Sequence, residues 1–373
     1  MQTPQAWIWQ QSDWPHFRWD QGVLASVLAC ARLAQGKVLG VTQLLDAKLS
    51  LDAVATILAE NGITTSAIEG ERLDLDAVRS SVAQHLGLPF AGLPVPPRAV
   101  DGLFEVLLDA TRHYDSPLTA ERLFGWQASL FPTSYSGLHP IRTGALRGEE
   151  TMQVVSGRIG HEHVHFTAPP SERLEGEMDC FLAWFNISPN GLDGLIRAGL
   201  AHLWFVTLHP FEDGNGRLAR AITDMALSQD ERQALRFFSL SAQILRERES
   251  YYNILERTQR SGLDVTDWLV WFLEQVAASA TAAEKTVANT LAKARFWLRH
   301  QGMDINERQR KVLNRLLDAG QDGFIGGINT RKYMSLTKTS RSTAYRELSV
   351  LVEKACLTPT GKGGRSSGYE IVW

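Results

Sequence analysis

Cysteine is scarce in this 373-residue chain: Cys30, Cys180 and Cys356 lie far apart and form no CxxC pair. That argues against a disulfide framework and against a structural zinc site. No run of about 18 apolar residues stands out, which argues against a membrane span. The opening MQTPQAWIWQ lacks the basic n-region and apolar h-region of a secretory signal. No internal repeat recurs at a fixed period. A strong charge of one sign is also missing: the formal net charge is −3 and charged residues make up 21%. This is an ordinary globular composition, neither disordered nor fibrous. At 44% hydrophobic content the chain can bury a sizeable core in two or three domains. The expectation is a reducing, cytoplasmic protein with no membrane partner.

The small total hides an asymmetry. Residues 306–373 carry 12 Lys+Arg against 6 Asp+Glu, a net of +6, and the rest carries 26 against 35, a net of −9. A basic tail on an acidic body suggests that the tail has its own partner. Along the chain, WIWQQSDWPHFRWD reads as an extended arm whose aromatic rings dock on the body. Residues 21–88 have helical spacing, with LDAVATILAENG read as a helix closed by Asn-Gly. PFAGLPVPPRAV, with four prolines, reads as a linker. Helix resumes over 101–125. TMQVVSG and HVHFTA, around SGRIG, read as a hairpin. Helical patterns then fill 171–290.

The densest chemistry lies in HPFEDGNGRLAR, residues 209–220. The preceding GLIRAGLAHLWFVTL reads as a buried helix. Pro210 has no N–H and restricts His209, so that helix should end there. A second helix pattern starts after Gly216, so the segment between is a loop leading into a helix N-terminus, where free N–H groups and the dipole suit an anion. Gly214 and Gly216 let the backbone approach a phosphate closely. Asn215 can sit at the cap and offer an amide donor. Arg217 and Arg220 share one helix face, and two guanidinium forks suit a polyphosphate. Asp213 can hold Mg²⁺, which takes one carboxylate together with phosphate oxygens. His209 is the group in the set whose ordinary pKa lies near working pH, the natural general base. Phe211 would anchor the loop inward. A capped surface loop accounts for any one of these residues but not for the set.

HPFEDGNGRLAR resembles the signature of the Fic family, His-x-Phe-x-Asp/Glu-Gly-Asn-Gly-Arg-x-x-Arg, at every defined position. The resemblance implies an all-helical core with a β-hairpin flap. For most members it also implies transfer of AMP from ATP to a Ser, Thr or Tyr hydroxyl of a target protein, with release of pyrophosphate. On that basis His209 would deprotonate the hydroxyl and Asp213 would bind Mg²⁺ bridging the α- and β-phosphates. Asn215 and the Gly214 and Gly216 amides would hold the phosphates, Arg217 the β-phosphate and Arg220 the γ-phosphate. GEETMQVVSGRIGHEHVHFTAPP resembles the flap, so a target protein is expected to dock as an added strand on the 147–166 hairpin. YYNILERTQR and VTDWLVWFL resemble the helices that close the Fic core. WPHFRWD resembles an extra N-terminal domain of one subgroup.

TSAIEG, residues 65–70, is similar to the family's inhibitory motif, Ser/Thr-x-x-x-Glu-Gly/Asn. The resemblance implies a helix packed on the nucleotide site, with Glu69 paired to Arg220 and denying it to the γ-phosphate. Thr65 and Glu69 are four apart on one helix face, where Thr65 could steady the Glu. On spacing alone, Ser66 and Glu69 also fit a capping box at a helix start. The same Glu can orient a water that removes AMP from a target, which leaves a reversing activity open.

The tail has the order of a winged helix: ERQRKVLNRLLDAG, TRKYMSL and SRSTAYRELSVLVEK as three helices, Ser340 as an N-cap, then two strands around a Gly-rich turn. In such a fold Arg341, Ser342, Thr343 and Arg346 would face a major groove, and Lys362 and Arg365 would sit in the wing near phosphates. Such domains also serve as protein-interaction or dimer modules. His202 reads as a hydrogen-bonded interior histidine. His161, His163 and His165 share one strand face, a spacing open to a transition metal and equally to a plain solvated hairpin.

The expectation is therefore a mainly α protein in three parts. Residues 1–95 form an arm and helical domain with the inhibitory helix, 96–300 the Fic catalytic domain, and 301–373 a winged helix-turn-helix domain. The expected activity is adenylyl transfer with ATP and Mg²⁺. Two alternatives stay open, a DNA-binding regulator that uses the Fic domain as a nucleotide sensor and a de-AMPylating enzyme. So do a different donor, such as a UMP or phosphocholine donor, and a homodimer.

Overall fold

The computed structural model describes residues 6–43, 47–89, 93–158, 161–187, 191–323, 326–360 and 368–373. It divides into two compact units, residues 1–40 with 54–283, and residues 41–53 with 284–373.

In the first unit, after a 3₁₀ turn at Ile8–Gln10, come α1 (Gln21–Thr42), α2 (Ala47–Ile68), α3 (Leu75–Leu86), α4 (Arg98–Arg112) and α5 (Ala120–Leu130). A short ladder follows, β1 (Tyr135–Ser136) with β2 (His139–Pro140), then the hairpin of β3 (Gln153–Arg158) and β4 (His161–Thr167). Its antiparallel register runs from Gln153 opposite Thr167 to Arg158 opposite His161, with an irregularity at Val154/Val155. Helices α6 (Ser171–Asn186), α7 (Gly194–Leu208), α8 (Asn215–Glu231), α9 (Leu240–Arg246), α10 (Arg248–Gln259) and α11 (Thr266–Arg299) complete the series; α1, α2 and α11 contribute residues to both units.

Every residue of α7 after Gly194 is buried, as are thirteen in α8. α7 is apolar on nearly all sides, as a core helix is, and α8, which also buries polar residues such as Arg217, Arg220 and Asp224, packs along it. Asp193 caps α7 through the Leu195 and Ile196 amides. The aromatic arm docks as expected: the Trp9 indole N–H donates to the Thr167 carbonyl at 2.8 Å, the Trp14 indole to Glu177 at 2.8 Å, and Trp14 and Phe17 meet Trp204 edge to face.

Two readings need correction. Asn61-Gly62 does not end a helix; α2 runs through it to Ile68. A side chain at Gly62 would put its Cβ 2.4 Å from the Phe104 ring, and Asn61 donates to buried Asp224 at 2.9 Å. Tertiary packing uses both residues, so the local turn signal does not decide. Second, α1 is long and apolar enough by length and composition to cross a membrane, with a mean hydropathy of 1.3. Here its Leu24, Ala31 and Val38 are buried, and Arg32 donates to Asp230 and Asp193.

In the second unit, α12 (Glu307–Gly323, non-helical at Gly320), α13 (Thr330–Thr337) and α14 (Arg341–Glu353) precede β5 (Leu357–Pro359) paired antiparallel with β6 (Tyr369–Ile371). Leu313, Leu317, Tyr333, Leu348 and Ile371 belong to its core. Ser340 caps α14, accepting from the Thr343 amide. Buried Glu347 accepts from Tyr333, Asn306 and Arg308, so its charge is fully engaged.

Candidate active site

The site forms where α7 gives way to α8. α7 ends at Leu208, and His209 takes a left-handed conformation, φ 48°, as its C-cap. Pro210 forces the exit, and Arg147 fixes it: its Nε donates to the His209 carbonyl at 2.9 Å and its amide to the Pro210 carbonyl at 2.9 Å. The loop between is braced from within. Phe211 is fully buried, its amide donates to Asn215 Oδ1 at 3.0 Å, and Asn215 Nδ2 donates back to its carbonyl at 2.8 Å. Both ends of the Asn215 amide thus set the loop's shape. Gly214, φ 89°, is the residue before the first turn of α8, where Asn215 itself begins the helix.

His209 Nδ1 lies 3.2 Å from the Val206 carbonyl. A carbonyl only accepts, so this nitrogen carries the hydrogen and Nε2 is left as the free base. Burial lowers the imidazole pKa below its ordinary value, and the positive Arg147 adds to this; the Val206 hydrogen bond, Glu69 and Asp213 pull the other way. The ring is therefore a neutral base near pH 7. Asp213 accepts from the Ser136 hydroxyl and from the Gly214 amide. A carboxylate has about four lone-pair sites, so oxygen capacity remains for a cation.

His209, Asp213, Asn215, Gly216 and Glu69 line one cavity of about 890 Å³, bounded also by the hairpin. Arg217 and Arg220 are not among its lining residues and are buried, 6% and 2% exposed. Arg220 Nη2 donates to Glu69 Oε1 at 2.7 Å and to the Thr65 carbonyl at 3.0 Å, and its Nε to the Thr65 hydroxyl at 2.6 Å. Thr65 thus steadies Arg220 rather than Glu69. Ser66 and Glu69 lie at the C-terminal end of α2, not at a helix start, so no capping box forms. Arg217 lies 4.8 Å over the Phe131 ring and pairs with Glu71 at 3.1 Å. Among the described residues, Arg217 Nε and Arg220 Nη1 are buried with no partner. A Cβ on Gly216 would come within 2.3 Å of Glu69 Oε1, so glycine there makes room for that carboxylate.

The end of α2 is pinned at several points. Arg248 Nε donates to the Ile68 carbonyl at 2.9 Å, Asn61 holds Asp224, and Ser239 donates to Asn61 at 3.0 Å. Burial raises the Asp224 pKa, while Arg236 and Asn61 oppose this. His202 is interior: its nitrogens meet Thr223 at 2.9 Å and Tyr251 at 2.8 Å. Burial, with Arg220 nearby, pushes it down to about 3.

Residues 117–227 match the family model of the Fic/DOC family. This chain carries a Fic/DOC family domain. Residues 7–88, ahead of the Fic domain, match a domain family of unknown function, DUF4172. Over 120 residues the chain is 32% identical to a uridine 5′-monophosphate transferase of Xanthomonas campestris pv. campestris, covering 31% of this chain and 22% of that protein. Over 90 residues it is 37% identical to a protein adenylyltransferase Fic of Nematostella vectensis, covering 24% and 19%. The chain thus spans about a fifth of the length of these relatives. A Fic family protein from Desulfovibrio desulfuricans G20 shares the fold at TM-score 0.52 and 18% identity, covering 95% of this chain and 97% of that one. Fic-1 of Caenorhabditis elegans does so at TM-score 0.50 and 19% identity, covering 73% and 74%.

Arg341, Ser342 and Arg346 are exposed at the start of α14, while Lys362 and Arg365 lie outside the described residues. Sequence reasoning missed Arg147, Ser136 and Glu71. Arg147 and Ser136 are remote in sequence and carry no local pattern. Glu71, two residues after Glu69, was within reach.

Proposed function

We propose that the Fic domain is a protein adenylyltransferase, moving AMP from ATP to a Ser, Thr or Tyr hydroxyl of a target protein, and that Glu69 holds it in check. The observation that carries this reading is the meeting of His209, Asp213 and Gly216 in one cavity with Glu69, which occupies Arg220. His209 Nε2 would take the proton of the target hydroxyl as its oxygen bonds to the α-phosphorus. The bond from that phosphorus to the α,β-bridging oxygen breaks, and pyrophosphate leaves. Asp213 fits as the protein ligand of Mg²⁺, which when bound supplies charge neutralisation to the phosphates. Arg217 and Arg220, with buried unpartnered nitrogens, fit the outer phosphates once Glu71 and Glu69 yield them. The target is expected on the edge of the β3–β4 hairpin. The C-terminal helices and strands are read as a winged helix whose α14 faces DNA.

The test is label transfer from α-labelled ATP with Mg²⁺, comparing wild type, Glu69→Gly and Glu69→Gly/His209→Ala, with and without lysate. Strong labelling confined to the single variant is expected. Equal labelling by the single and double variants would remove His209 as base. A uridylyl donor is the second reading, favoured by the name of the Xanthomonas relative, and α-labelled UTP in the same assay decides between the two.

A further inference from the structure

The hairpin histidines, which the chemistry above leaves unused, have a partner that the sequence could not show. His163 and His165 lie two apart on β4, on one face of the strand, with ring centroids 4.6 Å apart. Glu256 comes to them from α10: its Oε2 is 2.5 Å from His165 Nδ1 and its Oε1 3.5 Å from His163 Nε2. One ligand atom from each of the three can be chosen so that all lie within 4.8 Å of one another. Two ligand atoms about 2.0 Å from a tetrahedral zinc sit roughly 3.3 Å apart, so small side-chain adjustments close the set.

We propose that His163, His165 and Glu256 form a site for a first-row divalent metal of the zinc class, tying β4 of the hairpin to α10. Two imidazoles and one carboxylate are donors of borderline softness, which suit Zn²⁺ and Co²⁺ and suit Mg²⁺ poorly. The surroundings supply the outer contacts such ligands need. His165 Nε2 lies 2.6 Å from the Ser156 hydroxyl on β3, which fixes the ring and leaves Nδ1 to the metal. Arg260 Nε lies 3.1 Å from Glu256 Oε1 and also 3.4 Å from the His165 carbonyl, while its guanidinium lies 4.9 Å over the Trp7 ring. Its positive charge opposes a cation, so moderate affinity is expected, but it also orients the carboxylate. His165 and Glu256 line the same cavity as His209, so the metal would fix that wall.

The experiment uses the full metal-stripped chain and the metal alone, without nucleotide. Zn²⁺ is titrated by calorimetry and Co²⁺ by visible absorption, in wild type, His163→Ala/His165→Ala and Glu256→Gln. Wild type is expected to bind one equivalent more of each metal than the double variant, with Co²⁺ d–d bands of a low-coordinate nitrogen–oxygen site. Glu256→Gln should weaken that equivalent at least tenfold. His85, Asp101 and Glu105 form another candidate cluster, and because it is intact in all three proteins its contribution cancels in the comparison. Matching circular dichroism of the stripped proteins shows that the variants fold. Equal uptake by all three proteins, or no uptake by any, would overturn the site. Neither outcome bears on adenylyl transfer.

Discussion

Arg220 on α8 and Arg346 on α14 each lie on the second helix of a helical pair; the resemblance to the Fic signature implies a γ-phosphate for Arg220, and the winged-helix order a DNA major groove for Arg346. Their settings differ. Arg220 is 2% exposed, donates three hydrogen bonds to Thr65 and Glu69, and keeps a buried nitrogen unpartnered. Arg346 is exposed on a capped helix in a basic segment. A buried guanidinium has a large desolvation cost that needs compensation, so its partners report what the site is for. An exposed one costs little and is compatible with a nucleic acid, a protein or water. Burial with incomplete pairing is thus a sharper sign of function than positive charge.

The contrast is tested most strongly at the buried end. In a Glu69→Gly background, His209→Ala should lower label transfer by 100-fold or more, at the low end of what a positioned base contributes. Glu69→Gly alone should raise transfer about 10- to 100-fold, the scale of freeing one charge-assisted contact. Glu71→Gln on top should add only about 2- to 5-fold, because Glu71 is half-exposed and its pair with Arg217 is weak. If Glu71→Gln matched Glu69→Gly, burial of the paired arginine would not set the strength of the restraint.

The helical core and the active loop were both legible. Residues 209–220 gather the loop's titratable side chains within twelve positions, and Pro210 and the glycines have strict backbone consequences. What was not legible is what reaches the loop from a distance. Arg147 holds it from 62 positions away. Asn61-Gly62 reads locally as a turn, yet lies inside α2 because Phe104 and Asp224 claim both residues. Thr65 was expected to serve Glu69 and instead grips Arg220. Spacing puts residues on a face but does not say what stands opposite. Glu256, some ninety positions from His165, is the same case.

Two histidines, His209 at the cavity and His202 in the interior, give a smaller, signed effect. Burial depresses His209, so the acid limb of transfer should have its midpoint below pH 6.5. Glu69 raises His209, so Glu69→Gly should move that midpoint lower still. An acid limb above pH 6.5 in kcat/KM profiles would contradict this. His202 acts on stability instead. Its folded value of about 3 lies below the ordinary 6.5, so between these values the unfolded chain holds a proton that the folded chain does not. The stabilisation is whole above pH 6.5 and falls by about 1.4 kcal/mol per pH unit toward 3. Urea midpoints at several pH values should show a shallower slope in His202→Gln than in wild type.

The smallest effect on transfer is expected at the exposed end. Arg341→Ala/Arg346→Ala should leave labelling by the Glu69→Gly chain unchanged, since both are exposed side chains of the second unit while residues 209–220 belong to the first. If α14 lies in a major groove, the double variant should weaken binding most at the preferred sequence and relax specificity there. An equal weakening on every sequence, with a salt slope lower by about 2, would instead mark the pair as phosphate contacts. Unchanged DNA binding would turn the basic face toward a protein partner. A fall in labelling would couple α14 to catalysis, and exposed arginines would then matter to transfer as buried ones do.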